Sequence, residues 1–150
     1  MGALNQTIVI DRPIETVFAI ATDIEKSPEI MDKVEQIEKL TDGPVEKGTK
    51  FQEVRNLGGR RVQSVLEVTE YVPTESYAVS SEQNGVEIIF RYTFKSQEGT
   101  TFVTFDGKVK TKGFARSLFR GMIVRMISKE ELFHLQELKE YIEKEGTDSE

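Results

Sequence analysis

Cysteine is absent from the 150-residue chain, and histidine occurs only once, as His134. Without cysteine there can be no disulfide bond, no thiolate metal site and no cysteine nucleophile. One histidine and scattered carboxylates also fail to provide the spacing of a metal site. We therefore expect no metal and no cofactor.

Long hydrophobic runs are missing as well, and the longest apolar stretches are far too short to span a membrane. Residues 1–11 lack the basic flank and the apolar run of a signal peptide. A cytoplasmic location is therefore expected. The net charge of −6 argues against a nucleic-acid partner.

The length predicts a single domain over residues 1–150. A chain of this size removes roughly 70% of its unfolded surface from water and needs no covalent cross-link to fold. Repeats and low-complexity segments are absent. Only residues 146–150, which are polar and acidic, are predicted to form a disordered tail.

Two prolines mark predicted helix boundaries in the N-terminal region. Residues 5–11 favour a β-strand, and Pro13 then suits the first position of a helix, with Asp11 in its cap region. Pro28 lacks a backbone donor and disfavours helical geometry at Ser27, so the helical pattern must stop or restart there. The pattern predicts two short helices after the first strand.

Three tight turns divide the central region: two-residue primed turns are predicted at Gly58-Gly59 and at Asn84-Gly85, and a four-residue loop at residues 97–100. Closing a hairpin at each turn fixes which residues lie opposite each other. All three hairpins then have one face rich in large apolar side chains and one face with most of the charge, including Glu87 and Arg91. The predicted pairs are Lys50 with Glu67, Phe51 with Leu66, Glu53 with Ser64, Arg55 with Val62, Tyr77 with Tyr92, Val79 with Phe90, Ser81 with Ile88, Phe90 with Gly107, Tyr92 with Phe105, and Phe94 with Val103.

From Phe114 to about Lys144 the apolar spacing becomes that of a long helix, roughly 30 residues or about 45 Å. Its apolar positions are Leu118, Phe119, Met122, Ile123, Met126, Ile127, Leu135, Leu138 and Ile142. The element order is a strand, two short helices, a meander of about six strands and a covering helix. This order predicts an α+β fold.

The order resembles the helix-grip fold of the START, birch-pollen-allergen-like and polyketide-cyclase proteins, the SRPBCC superfamily. Residues 10–38, IDRPIETVFAIATDIEKSPEIMDKVEQIE, resemble its opening strand, proline-led helix, Asp, second proline and strand. Residues 135–143, LQELKEYIE, resemble its closing helix. One departure is that many relatives have an aromatic residue just after the second proline, where this chain has residues 29–31, EIM.

The resemblance implies a polyketide cyclase/dehydrase-like or coenzyme Q-binding-like member of that superfamily. Its fold would be a curved antiparallel sheet of about seven strands around the long C-terminal helix. The resemblance also implies a cavity between sheet and helix that holds a hydrophobic small molecule. Some relatives are enzymes and many are carriers, and fold alone does not choose between them.

The inward face supplies the candidate ligand-binding residues. Apolar lining with a few convergent polar groups is typical of small-molecule sites, although a solid core has the same sequence pattern. The candidates are Phe51, Glu53, Arg55, Leu66, Tyr77, Val79, Ile88, Phe90, Tyr92, Phe94, Val103 and Phe105 of the strands, and Phe119, Met122 and Met126 of the helix.

Glu53 and Arg55 are the two charged candidates, because the register puts both on the inward face, where an unpaired ion is costly. They either pair with each other or face a polar group of the ligand. The alternative is an ordinary ion pair at the solvent-exposed edge of the sheet, beside Gly58-Gly59.

Glu53, Tyr77, Tyr92 and His134 are the candidate acids and bases. None of them has a partner at a diagnostic spacing, and a serine triad has no support in the sequence. A single histidine on a helix is more often a half-buried packing residue.

A basic segment is followed by an acidic one near the C-terminus. Residues 107–129 contain seven bases and no acid, whereas residues 130–150 are strongly acidic, an order that opposes the helix macrodipole. Arg116, Arg120 and Arg125 are therefore candidates for contact with an anionic membrane surface or with an acidic group of a ligand. The alternative is a solvated basic face.

Three functions fit these observations. The first is binding, transport or sensing of a lipid-like, polyketide or aromatic molecule. The second is a cyclase or dehydratase that acts on a polyketide-like substrate, and the third is a protein-interaction module. Binding is the prediction, because the sequence shows no catalytic dyad.

Overall fold

Seven strands form one antiparallel, curved sheet in the computed structural model, which describes residues 4–31, 33–57, 59–83, 86–111, 113 and 135–144. The strands are β1 (Leu4–Ile10), β2 (Val34–Lys39), β3 (Lys50–Leu57), β4 (Arg60–Val72), β5 (Ser76–Gln83), β6 (Val86–Gln97) and β7 (Thr100–Thr111). Their order is β1-β7-β6-β5-β4-β3-β2. The meander from β2 to β7 is therefore confirmed, and β1 pairs with its last strand.

Helix α1 (Ile14–Ala21) begins one residue later than predicted. Pro13 is its N-cap, with an extended ψ of 150°, and its carbonyl accepts the amide of Val17 at 3.0 Å. The N-cap has no side-chain hydrogen bond, so the predicted capping role of Asp11 was wrong. The Asp11 carboxylate instead accepts the Thr100 hydroxyl at 3.5 Å.

The break before Pro28 is confirmed. After α1 the chain forms a 3₁₀ turn (Ile24–Lys26) and then helix α2 (Ser27–Ile30), with Pro28 in the first turn. An amide is not needed there, because the first turn of a helix has no acceptor for it. Val17, Phe18, Ile24 and Ile30 are buried by this arrangement.

All ten predicted cross-strand pairs are present in the sheet. The predicted four-residue loop at residues 97–100 is a two-residue turn, because Gln97 and Thr100 still pair with each other in the ladder. Glu98 and Gly99 have φ of 52° and 81°, the two positive values that a primed turn requires. Gly59 also has a positive φ, 87°, whereas Gly58, Asn84 and Gly85 lie outside the described residues. The turn composition was therefore sufficient to fix the register.

The core lies on one face of the sheet, here called the inner face, against α1, α2 and the C-terminal helix. Residues 135–144 are helical and contribute Leu135, Leu138 and Ile142, all buried, at the predicted spacing. The predicted helical segment before residue 135 and the predicted tail at 146–150 lie outside the described residues.

Polar contacts attach this helix to the end of β1. The Asp11 amide donates to Oε2 of Glu143 at 3.1 Å, and the Arg12 guanidinium donates to the Glu143 carbonyl. Lys139 Nζ donates both to the Val9 carbonyl, at 2.9 Å, and to Glu143 Oε2, at 3.2 Å. Glu143 therefore links the helix to the β1–α1 junction.

The Asp11 amide first, and then Lys139 and Arg12, lower the pKa of Glu143 from its ordinary 4.5. Because the folded pKa is the lower one, the contribution of Glu143 to stability is present above about pH 4.5 and is lost as the pH falls through the folded pKa. Glu143→Gln should lower the free energy of unfolding by about 0.5–1.5 kcal/mol at pH 7. Urea denaturation should show a much smaller difference at pH 3.

Glu140→Gln is the matched control, because Glu140 is exposed and accepts a hydrogen bond from Gln136 of its own helix. It should leave stability nearly unchanged at both pH values. An equal loss for Glu143→Gln at pH 3 and pH 7 would contradict the assigned role of its charge.

Candidate functional site

Seven aromatic rings form a continuous series of contacts on the inner face. Phe18 of α1 lies at one end of the series with Phe94, and Phe90 lies at the other. The ring centroids are 5.0 Å apart for Phe94 and Phe18, 5.5 Å for Phe18 and Tyr71, 6.2 Å for Tyr71 and Tyr77, 6.0 Å for Tyr77 and Tyr92, 5.3 Å for Tyr92 and Phe105, and 5.5 Å for Phe105 and Phe90.

Strand register produces this series. Tyr77 lies opposite Tyr92, which lies opposite Phe105, so three rings stand side by side across β5, β6 and β7. Directly opposite side chains on one face are only about 4.5–5.5 Å apart at Cβ, which is within reach of aromatic contact. Large rings on three adjacent strands therefore pack together.

Tyr71 joins the series through a β-bulge that the sequence analysis missed. Strict alternation from Leu66 puts Tyr71 on the outer face, but the β4–β5 register shifts between Val68 and Glu70. The extra residue moves Tyr71 to the inner face, opposite Tyr77. No turn residue marks the bulge, so the sequence offered no local signal for it.

The predicted strand residues lie on the inner face of the sheet. Phe51, Glu53, Tyr77, Val79, Tyr92, Phe94, Val103 and Phe105 are buried, whereas Leu66, Ile88 and Phe90 are half-buried and pack against the core. The helix candidates Phe119, Met122 and Met126 lie outside the described residues.

The hydroxyl of Tyr77 is buried and, within the described ranges, has no hydrogen-bond partner. Only 3% of the residue is exposed. Burial, and secondarily Tyr71, raises the pKa of Tyr77 far above its ordinary range. This side chain therefore stays protonated near neutral pH and offers an uncharged hydroxyl.

Glu53 and Arg55 pair with each other, as one of the alternatives predicted. Arg55 Nε donates to Glu53 Oε1 at 2.8 Å, and the two side chains are 23% and 7% exposed. The pair is therefore largely withdrawn from water. An exposed surface pair at this position, the other alternative, does not describe Glu53.

The inner face changes from apolar to polar along the strands. Tyr71 and Tyr77 form one cross-strand row and Val68 and Val79 the next. The third row is mostly apolar and consists of Phe51, Leu66, Ser81 and Ile88. Glu53 follows, paired across the ladder with Ser64. Counted from Tyr77, the Glu53 row is three rows further along the strands, and successive rows are two residues apart. This separation corresponds to roughly 20 Å along the strand direction.

The sequence matches the family described as "Polyketide cyclase / dehydrase and lipid transport" over residues 1–143. The chain belongs to this family. The resemblance to the SRPBCC superfamily is thereby confirmed, and the α+β helix-grip architecture agrees with it. No curated protein matches the sequence as a relative.

Solved structures of proteins with different descriptions share this fold. The Zhui aromatase/cyclase from Streptomyces sp. R1128 has a TM-score of 0.74 at 13% identity, covering 93% of this chain and 92% of its own. Ara h 8.0201 has a TM-score of 0.72 at 12% identity, with coverage of 92% and 95%. A START superfamily protein from Mycobacterium smegmatis has a TM-score of 0.71 at 17% identity, with coverage of 93% and 96%. At these identities the likeness establishes the fold alone.

Other candidates in this polyketide cyclase/dehydrase family member lie away from the inner face or outside the described ranges. Arg91 is on the outer face, as predicted, where it bonds Glu70 at 3.2 and 3.0 Å and lowers the pKa of that carboxyl. Lys108 and Lys110 are exposed on β7. His134, Arg116, Arg120 and Arg125 lie outside the described residues.

Two features are absent from the described residues. No helix among them is long and apolar enough to cross a membrane. No group of three histidine or acidic side chains in these ranges is placed to hold a metal ion.

Arg55→Met should lower the free energy of unfolding by about 1–3 kcal/mol, because it leaves the buried Glu53 carboxylate without this partner. Combining it with Glu53→Gln should restore part of that loss, since the buried charge is then absent. Chemical denaturation of the single and double variants at pH 7 measures both effects.

Arg91→Met is the matched control, because Arg91 and Glu70 form an ion pair of the same kind with side chains 49% and 34% exposed. Loss of this exposed ion pair should lower the free energy of unfolding by less than about 1 kcal/mol. If Arg55→Met and Arg91→Met lowered the free energy of unfolding equally, burial would not be what makes the Glu53–Arg55 pair important.

Proposed function

We propose that the protein binds a hydrophobic small molecule between the inner face of its sheet and its C-terminal helix, as a carrier or sensor. The aromatic series from Phe94 to Phe90 is the observation that carries this proposal. Aromatic and aliphatic side chains with few polar groups are the usual lining of small-molecule sites.

The arrangement of polar groups supports an elongated, mostly apolar ligand. Apolar rows occupy the middle of the inner face, while Glu53, Arg55 and Ser64 lie towards the β3–β4 turn. A ligand along the strands would keep its body on the apolar rows. Its more polar end would then lie near the ion pair, where charge-assisted hydrogen bonds are available.

Family membership supports the same class of ligand. The family description includes lipid transport beside polyketide cyclases and dehydrases. Lipids and polyketides both present extended apolar surface, and the hydrophobic effect favours transfer of such surface to an apolar site.

A cyclase or dehydratase is the second candidate, favoured by the family description and by the aromatase/cyclase Zhui among the structural neighbours. Burial keeps Tyr77 protonated, so this residue would serve as a hydrogen-bond donor and not as a general base. Binding without chemistry is preferred, because the sequence shows no catalytic dyad. Turnover of a polyketide by the parent protein that is lost in Glu53→Gln would favour the enzyme.

Native mass spectrometry of protein purified from its own host is the direct test. A co-purifying apolar molecule of defined mass, released on unfolding, is the expected result. A protein that is always recovered without any bound mass, and that also binds no added apolar probe, would contradict the proposal.

Ile88→Gln should weaken binding of the uncharged probe N-phenyl-1-naphthylamine, because Ile88 is half-buried on the inner face and packs against the core. Loss of one such apolar contact corresponds to roughly fivefold to thirtyfold in Kd. Fluorescence titration measures this change.

Ile89→Gln is the matched control, because Ile89 is the adjacent residue, also half-buried, and alternation puts it on the outer face. The Kd of this variant should equal that of the parent protein. Equal weakening by both variants would show that the probe does not discriminate between the two faces.

A further inference from the structure

Tyr77 is a polar group whose burial the fold does not explain. Its hydroxyl has no hydrogen-bond partner in the described part of the chain, although the residue is only 3% exposed. Buried polar groups are nearly always hydrogen-bonded, so each exception calls for a physical reason. Phenylalanine would fill the same space without this cost.

The position of the Tyr77 ring is fixed from two sides. Tyr92 stacks on it at 6.0 Å with an interplanar angle of 29°, and Tyr71 meets it edge-on at 6.2 Å and 87°. Both neighbours are also its cross-strand partners in the ladder. The ring is therefore held within the aromatic series on the inner face and cannot turn its hydroxyl to bulk water without disrupting these contacts.

The charge of the hydroxyl restricts what it can bind. Burial, followed by the influence of Tyr71, raises the pKa of Tyr77, so the group is uncharged near neutral pH. It donates one hydrogen bond and carries no positive charge with which to offset a buried carboxylate. Arg55, which does carry such a charge, lies one two-residue step beyond Glu53, roughly 26 Å away along the strands.

The cost of removing water from a polar group of the ligand then differs between classes of ligand. An anionic headgroup beside Tyr77 would lose its hydration for a single neutral hydrogen bond, which is unfavourable. A ketone, ester or ether oxygen loses much less and gains the missing partner of the hydroxyl. An entirely hydrocarbon ligand would leave the hydroxyl unsatisfied.

We infer that Tyr77 selects apolar ligands that carry a neutral hydrogen-bond acceptor, such as a ketone oxygen, on the part of the molecule that lies among the aromatic rings. This inference rests on the proposed function of the same site. It adds a specificity-determining residue and narrows the ligand from any hydrophobic molecule to a carbonyl-bearing or ether-bearing one.

Fluorenone and fluorene test the inference, because these rigid tricyclic molecules have nearly the same shape and differ by one ketone oxygen. Their dissociation constants are measured by isothermal titration calorimetry on the full chain, and the ratio of the two is compared between variants. Differences in hydration of the probes cancel in this comparison. Tyr77→Phe should reduce the relative preference for fluorenone roughly threefold to tenfold, the effect of one hydrogen bond.

Tyr71→Phe is the matched control, because Tyr71 is only half-buried, so that water is available to its hydroxyl. The ratio of the fluorenone and fluorene dissociation constants for this variant should equal that of the parent protein. The same loss in Tyr71→Phe as in Tyr77→Phe would overturn the assignment to Tyr77.

The outcomes separate the two proposals. Binding of both probes with an unchanged ratio in Tyr77→Phe overturns the inference and leaves the proposed function in place. Binding of neither probe by any variant, together with an empty protein in native mass spectrometry, removes both.

Thermal unfolding of the empty protein adds an independent measurement. Tyr77→Phe should raise Tm, because it removes a buried hydroxyl for which the described part of the chain offers no hydrogen-bond partner. A lower Tm would show that the hydroxyl is already satisfied, for example by an ordered water molecule, and would also overturn the inference.

Discussion

The pairing of Tyr77 with Tyr92 and of Tyr92 with Phe105 is the constraint on which the candidate site depends. A slip of one residue in either ladder would move a whole strand's apolar side chains to the outer face. The primed turn at Glu98-Gly99 prevents such a slip between β6 and β7. Backbone geometry at a turn thus determines which side chains can face a ligand many residues away.

The same register separates apolar from polar chemistry along the inner face. Most of the aromatic rings lie at the α1 end, and aliphatic side chains together with Phe90 and Phe51 follow. The Glu53–Arg55 pair lies towards the β3–β4 turn. Because the Glu53 carboxylate is withdrawn from water, its ion pair with Arg55 contributes to its stability. The ion pair is therefore a structural element as well as a candidate contact for the polar end of a ligand.

The helix that faces this surface is attached at its described end by Glu143, Lys139 and Arg12. These contacts join the last part of the fold to the first strand, which itself pairs with β7. Three buried residues of the helix, Leu135, Leu138 and Ile142, contribute the apolar part of the attachment. The position of the helix against the sheet thus rests on both apolar burial and a small polar network.

The sequence by itself determined the three hairpins, the break at Pro28 and every tested cross-strand pair, because these follow from local rules of turn geometry and side-chain alternation. The pairing of β1 with β7, which are far apart in the chain, was decided by the tertiary structure. Only the tertiary structure decided that Tyr71 faces inward, that Glu53 bonds Arg55, and that the Tyr77 hydroxyl has no hydrogen-bond partner among the described residues. A bulge carries no fixed residue signature, and hydrogen bonding depends on distances between strands that are set by packing of the whole sheet. Whether a polar side chain is buried and hydrogen-bonded depends on the whole assembled fold. The sequence pattern could therefore identify these residues as candidates, but it could not predict which atoms surround them.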